Sequence, residues 1–170
     1  MNNEIRIYVA CLAAYNNGKL HGVWIDATQD VDDIQEQVNE MLKSSPEPDA
    51  EEWAIHDYEG FDGYSVSEYE GFEAVHNIAC FIEEYPEFAG ELLNYFGTLD
   101  DAKKAAEENY QGCYQSLADY AQTITEETTD IPAHLQYYID YEKLGRDMDM
   151  NGEILAIEAA HDKVYVFWSL

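Results

Sequence analysis

Asp147-Met148-Asp149-Met150-Asn151-Gly152, followed by Glu158, is the stretch whose residue types and spacing come nearest to chemistry. It matches the calcium-loop pattern D-x-[DN]-x-[DN]-G-x5-E position for position, with Ile154 at the usual apolar place. Oxygen ligands at those offsets can encircle a hard divalent cation. Against this, a calcium loop leads into an exiting helix, whereas Val164-Tyr165-Val166-Phe167-Trp168 is strand-like, and no second loop offers the usual pairing. The alternative is a helix end turning into a hairpin, and the sequence leaves both open.

Other reactive residue types are present but not arranged. His21, His56, His76, His134 and His161 are scattered, without a metal-binding spacing. His56 beside Asp57 and His161 beside Asp162 resemble acid/base pairs, but neighbours on a strand point to opposite faces. Carboxylates abound, yet nothing sets one or two apart by environment, as acid/base catalysis requires. Nucleophile elbow, phosphate loop and dinucleotide fingerprint are all missing. Cys11, Cys80 and Cys113 are odd in number and widely separated, so they read as thiols in a reducing compartment. The expectation is a protein that is not an enzyme and needs no cofactor or metal.

What the chain does have is charge. It carries 36 acidic and 8 basic residues among 170, a formal net charge of −28, where a small soluble domain carries about 2 to 8 in magnitude. Because 46% of residues are apolar and 14 are tyrosine, the chain folds, and it folds against its own repulsion. A compact sphere crowds that charge; an elongated chain of small units relieves it. Two copies carry a charge of −56, which matches about 95 Å of duplex DNA at one charge per roughly 1.7 Å. A merely soluble acidic surface is the plainer explanation of the same number. Direct binding to nucleic acid is disfavoured, since only Lys103-Lys104 cluster among the basic residues. No span approaches membrane length, and a soluble cytoplasmic protein is expected.

The elements that display this charge read as α+β, with antiparallel sheets. Residues 5–12 and Val23-Trp24-Ile25 flank Asn16-Asn17-Gly18-Lys19, a hairpin signal. Asp30 caps a helix to about Lys43 with Val31, Ile34, Val38 and Leu42 on its apolar stripe, and Trp53 to Tyr58 supplies a third strand. From Ser67 to about Gly97 the period is helical, broken at Tyr85-Pro86. Thr123 to Thr129 reads as a polar connector, Pro132 as the first turn of one longer helix bearing Leu135, Tyr138, Tyr141 and Met148, and Ile154–Glu158 and Val164–Trp168 as two closing strands. Three units are expected: an α+β unit over 1–61, a helical unit over 62–103 and a second α+β unit over 104–170.

One stretch, Glu91 to Ala121, holds two consecutive helix-start signals. Thr98 with Asp101, and Ser116 with Asp119, are each an N-cap followed by a carboxylate in the first turn. Gly112 between them reads as a left-handed helix C-cap, giving helix, glycine turn, helix. Lys103 and Lys104 each have a glutamate four residues on, Glu107 and Glu108, which makes local pairing the simple expectation.

In this stretch Tyr110-x-Gly112-x-Tyr114-x-Ser116-Leu117-x-Asp119-Tyr120-Ala121 resembles the antirestriction motif of the ArdA family. Ala54-Ile55-His56-Asp57-Tyr58-Glu59-Gly60-Phe61 resembles that family's N-terminal signature, and the likeness covers nearly the whole chain. The resemblance implies a DNA mimic: an elongated acidic homodimer that occupies the DNA groove formed by the specificity and modification subunits of type I restriction-modification enzymes. The surface acids expected to stand in for phosphates are Asp32, Asp33, Glu36, Asp57, Glu59, Glu83, Glu84, Glu87, Asp100, Asp101, Glu107, Glu108, Asp119, Glu126 and Glu127. Tyr110, Gly112, Tyr114, Ser116, Leu117, Tyr120 and Ala121 would be the motif's scaffold, and the aromatic C-terminal unit would hold the dimer contact.

Overall fold

The computed structural model describes residues 4–169. The chain divides into two compact units, the first ending at Asn94 and the second beginning at Tyr95. Both mix helices with a three-stranded antiparallel sheet, so the fold class is α+β.

In the first unit the sheet is formed by β1 (Arg6–Cys11), β2 (Gly22–Asp26) and β3 (Trp53–Glu59), in the order β2-β1-β3. Alternation puts Ile7 and Val9 of the central strand at 0% exposure, while Arg6 and Tyr8 are half-buried. The expected β1–β2 hairpin forms, but its connection includes a short helix, α1 (Leu12–Asn16), before Gly18 turns the chain at φ +75°. α2 (Val31–Lys43) buries Ile34, Val38 and Met41; Val31 and Leu42, expected on that stripe, are half-buried. α3 (Phe72–Glu84) and α4 (Ala89–Phe96) follow, separated at Tyr85-Pro86 as the sequence predicts. Gly90 in α4 is fully buried because the backbone carbonyl of Asp62 occupies the space where a Cβ would stand.

The second unit departs further from expectation. After α5 (Leu99–Glu108), the residues read as a glycine turn form a strand, β4 (Tyr110–Tyr114), and α6 (Leu117–Thr128) follows. Gly112 is therefore not a helix cap. It sits inside β4 at φ +124°, where the register against the last strand slips between Tyr110 and Gly112. Nor is the segment after Ala121 a connector, since α6 continues to Thr128. Its threonines donate their hydroxyls to carbonyls one turn back: Thr123 to Asp119 at 2.8 Å, Thr125 to Ala121 at 2.6 Å and Thr128 to Ile124 at 2.6 Å.

The single helix expected after Pro132 is two pieces. Ala133–Tyr138 is a 3-10 helix, Ile139 is extended, and α7 (Tyr141–Met150) starts anew with Asp140 Oδ1 accepting from Lys143 N at 3.0 Å. α7 lies close to α6 through Gly145, where a Cβ would come within 2.7 Å of the Leu117 carbonyl oxygen. Asn151 and Gly152 (φ +74°) end the helix, and the chain closes with β5 (Ile154–Ala160) and β6 (Lys163–Trp168) in a sheet ordered β4-β6-β5. Tyr120, Ile154, Val164 and Val166 form a core cluster against which Tyr114, Leu117, Ile124, Met148 and Ala156 pack.

Candidate functional site

Helix amphipathicity decides where the carboxylates go. Burial of Ile34, Val38 and Met41 turns Asp32, Asp33 and Glu36 outward; burial of Ala102, Ala105 and Ala106 does the same for Asp100, Asp101, Glu107 and Glu108; burial of Tyr120 and Ala121 does so for Asp119, Glu126 and Glu127. Asp57, Glu59, Glu83, Glu84 and Glu87 are exposed as well, so all fifteen expected surface acids face solvent.

Eleven of them fall into two physical groups. Asp32, Asp33, Asp100, Asp101 and Asp119 stand in first turns, where a negative charge favours the helix. Two of these ends are also capped as the sequence predicts: Thr98 Oγ1 accepts from Asp101 N at 3.3 Å, and Ser116 Oγ from Asp119 N at 3.1 Å. The Thr98 hydroxyl in turn donates to Asp101 Oδ2 at 2.8 Å. The second group lies at the wrong end. Glu83-Glu84 close α3, Glu107-Glu108 close α5 and Glu126-Glu127 fall in the last turn of α6, and none of these last turns holds a basic residue. α7 repeats the arrangement with Asp147 and Asp149. A carboxylate near a helix C-terminus faces the negative end of the dipole and costs about 0.3–1 kcal/mol where a lysine would contribute. Local stability therefore explains the first group and opposes the second.

Few of these acids are neutralised. Glu59 is engaged by Arg6, whose Nε and Nη2 each lie 2.8 Å from its Oε2, while the guanidinium also sits 4.7 Å over the Trp24 ring and 3.7 Å from Glu4. Asp57 Oδ1 accepts from Tyr58 N at 2.8 Å, and Glu126 accepts from Gln122 Nε2 at 3.0 Å. Among the described residues the ion pairs involve Arg6, Lys19, His56 and His161, and none joins Lys103 or Lys104 to Glu107 or Glu108. The expected local pairing on α5 is not made, because long exposed side chains gain little from it in water.

The motif residues build one small scaffold. Tyr110 of β4 packs its ring on Tyr165 and Phe167 of β6, Tyr114 donates its hydroxyl to Gln111 O at 3.1 Å, and the Tyr114 ring meets Tyr120 edge-on at 5.1 Å. Tyr120 and Ala121 are buried, Leu117 half-buried, and Gly112 has the Tyr114 ring 3.4 Å from where a Cβ would be. Burial holds the Tyr120 phenol above its usual pKa, with Tyr114 and Glu153 adding to the shift, and its hydroxyl has no hydrogen-bond partner. The strand, its turn and the start of α6 are thus one piece with Asp119 on its outer side.

The two competing readings meet this geometry less well. Asp147 to Met150 form the last turn of α7 and Glu158 lies on β5; Met148, inside the calcium-like pattern, packs against the core cluster. The pattern is a helix end, a turn and a strand, and no group of three or more possible metal ligands occurs among the described residues. His56 Nε2 stands 3.8 Å from Glu68 Oε1, away from its neighbour Asp57, with the Tyr15 ring against it at 4.7 Å. These three line an open hollow of about 470 Å³ with Ile55, Tyr58 and Val66, and it holds no nucleophile beside a base. Asp140 and its capping role escaped the sequence reading, although an Asp directly before the α7 residues with Glu142 in the first turn was a signal for it.

The family description Antirestriction protein (ArdA) matches residues 7–163. The chain belongs to the ArdA family. The match takes in β1 at one end and the start of β6 at the other, and with them both sequence signatures. No curated protein matches the chain. As an ArdA member the chain is an antirestriction protein. Among the described residues no helix is long and apolar enough to cross a membrane.

Proposed function

We propose that this ArdA chain is a cytoplasmic inhibitor that protects DNA from type I restriction-modification enzymes by offering their DNA-binding groove carboxylates in place of phosphates. The observation that carries this reading is the set of glutamate pairs at the C-terminal ends of α3, α5 and α6. Acids there work against the helices that bear them, so their gain lies outside the fold. A groove lined with Lys and Arg supplies it, because charge complementarity steers and holds such a partner. Acids on residues 1–61, 62–103 and 104–170 act additively in this reading, and no single carboxylate is indispensable.

Two chains of this charge associate only where an apolar contact outweighs repulsion. The 3-10 helix Ala133–Tyr138 buries none of its residues, and Leu135, Tyr137 and Tyr138 are 45%, 94% and 83% exposed. We assign the homodimer contact to this segment. In sedimentation equilibrium, Tyr137→Ser with Tyr138→Ser should shift the chain toward monomer, and added salt should tighten the parent dimer by screening repulsion.

The decisive experiment is a competition. A purified type I methyltransferase, built from its specificity and modification subunits, is held on its DNA site and titrated with this protein between roughly 50 and 200 mM salt, the range over which DNA-like contacts weaken steeply. Stoichiometric displacement that falls off with salt supports mimicry. Absence of displacement from an active methyltransferase overturns it.

A further inference from the structure

β3 carries a bulge at His56. Ile55 pairs with Val9 and Asp57 with Tyr8, so His56 is the extra residue, and a bulge is where a strand re-aims a side chain. Its imidazole lines the open hollow of about 470 Å³, together with the Tyr15 and Tyr58 rings, the Glu68 carboxylate, and Ile55 and Val66, which are both buried. The rim beside Glu68 is set by bonds that leave its carboxylate out. Glu70 pins the segment, its Oε1 accepting from the Tyr64 hydroxyl at 3.0 Å and its Oε2 from Ser67 N at 2.9 Å, while the Glu68 carbonyl accepts from Ile55 N at 2.8 Å. Glu68 Oε1 stands 3.8 Å from His56 Nε2, too far for a hydrogen bond, so the carboxylate can still accept from a guest.

The same sheet shows what such groups hold. Arg6 lays its guanidinium 4.7 Å over the Trp24 ring and sets Nε and Nη2 each 2.8 Å from Glu59 Oε2, an aromatic face under the cation and a carboxylate at its edge. The hollow repeats the aromatic faces and the carboxylate, and no Lys or Arg lines it. We propose that the hollow is a binding site for an arginine side chain of the basic partner groove, an inference that rests on the mimic reading above. A planar guanidinium stacks on the tyrosine rings and forks onto Glu68, whereas an ammonium is a point charge that does neither as well. Ring geometry thereby adds selectivity to a charge field that is indifferent to how a cation is built.

The test uses the full chain and Nα-acetyl-arginine amide, a small monocation, with NMR of the histidine Cε1–Hε1 signals at fixed pH and ionic strength. His161 is the internal reference, because it also stands beside a carboxylate, Asp162 at 3.5 Å, but is 96% exposed. The His56 signal should move to saturation with a dissociation constant of about 10 mM, while His161 drifts without saturating. Nα-acetyl-lysine amide should bind about threefold more weakly, and Glu68→Gln should weaken the arginine probe about tenfold. A His56 response that merely follows His161, or an unchanged affinity in Glu68→Gln, overturns the site; equal affinity for the two probes overturns its preference for arginine. Tyr15→Leu, at an exposed position, alters no charge. In the methyltransferase competition it should weaken inhibition about threefold, and unchanged inhibition overturns the assignment of the guest to the enzyme's groove. The probe titration needs no restriction enzyme, so a failure of the site and a failure of the mimic reading are read separately.

Discussion

Neutralising the glutamates that close α5 and α6 should raise the stability of the second unit and lower its inhibitory strength together. The variant is Glu107→Gln, Glu108→Gln, Glu126→Gln and Glu127→Gln, four exposed side chains of which only Glu126 has a described hydrogen bond, one that glutamine's carbonyl can keep. Removing a carboxylate from the negative end of an exposed helix relieves about 0.3 kcal/mol, so four relieve about 1 kcal/mol, or a rise of about 4–8 °C in the melting midpoint for a unit of this size. Against a basic groove, a charge pair about 6 Å apart in water is worth about 0.7 kcal/mol, screened to about 0.4 at 0.1 M salt. Four such losses amount to roughly 1.5 kcal/mol, or about tenfold in affinity, and to about fortyfold at 10 mM salt, where screening is weaker. Calorimetry reads the first quantity and the methyltransferase competition the second. The reasoning fails if stability falls, if affinity is unchanged at low salt, or if one of the four substitutions alone accounts for the whole loss.

Three further outcomes follow from packing and protonation. Gly145→Ala adds helix propensity worth up to about 1 kcal/mol but drives a methyl into the Leu117 carbonyl, so urea unfolding should show a net loss of roughly 1–2 kcal/mol. Tyr120→Phe removes a buried hydroxyl with no partner and should leave stability equal or higher, whereas Tyr114→Phe forfeits the bond to Gln111 O and should cost about 0.5–1.5 kcal/mol by the same assay. Partial desolvation raises the pKa of Asp62, which stays largely exposed, so the folded chain holds that proton slightly more tightly than the unfolded one; the associated stability is present in acid and lost as pH rises through the folded value. Asp62→Asn, tolerated at φ +47°, should therefore melt higher than the parent at neutral pH, with the difference shrinking toward pH 3.

Local signals were the legible ones. The caps at Thr98 and Ser116 are short-range hydrogen bonds, and both are made where the residue types place them. The outward placement of the acids was equally readable, because helical period alone separates them from Ile34, Val38, Ala102 and Tyr120. β4 was not, since its pairing partners, Val164 to Phe167, lie some fifty residues away. The spacing Tyr110-x-Gly112-x-Tyr114 does have the period of a strand, and the glycine masked it by imitating a helix cap. α6 ran longer than its polar composition implied, its threonine hydroxyls turning back to carbonyls of the preceding turn. That error also hid Glu126-Glu127 as a helix end, and with it the distinction between acids that serve the helix and acids that do not.

Among the described residues β4 pairs on one side only, with β6, and its ladder is broken between Tyr110 and Gly112. β5, the opposite edge, is irregular as well, between Glu158 and Ala160. Open strand edges are templates on which further chains can stack, and kinks of this kind spoil the template. At neutral pH the chain has a second guard, since its own charge keeps copies apart. Near the isoelectric point that guard is gone, and in the second unit the two kinked edges are the protection that remains.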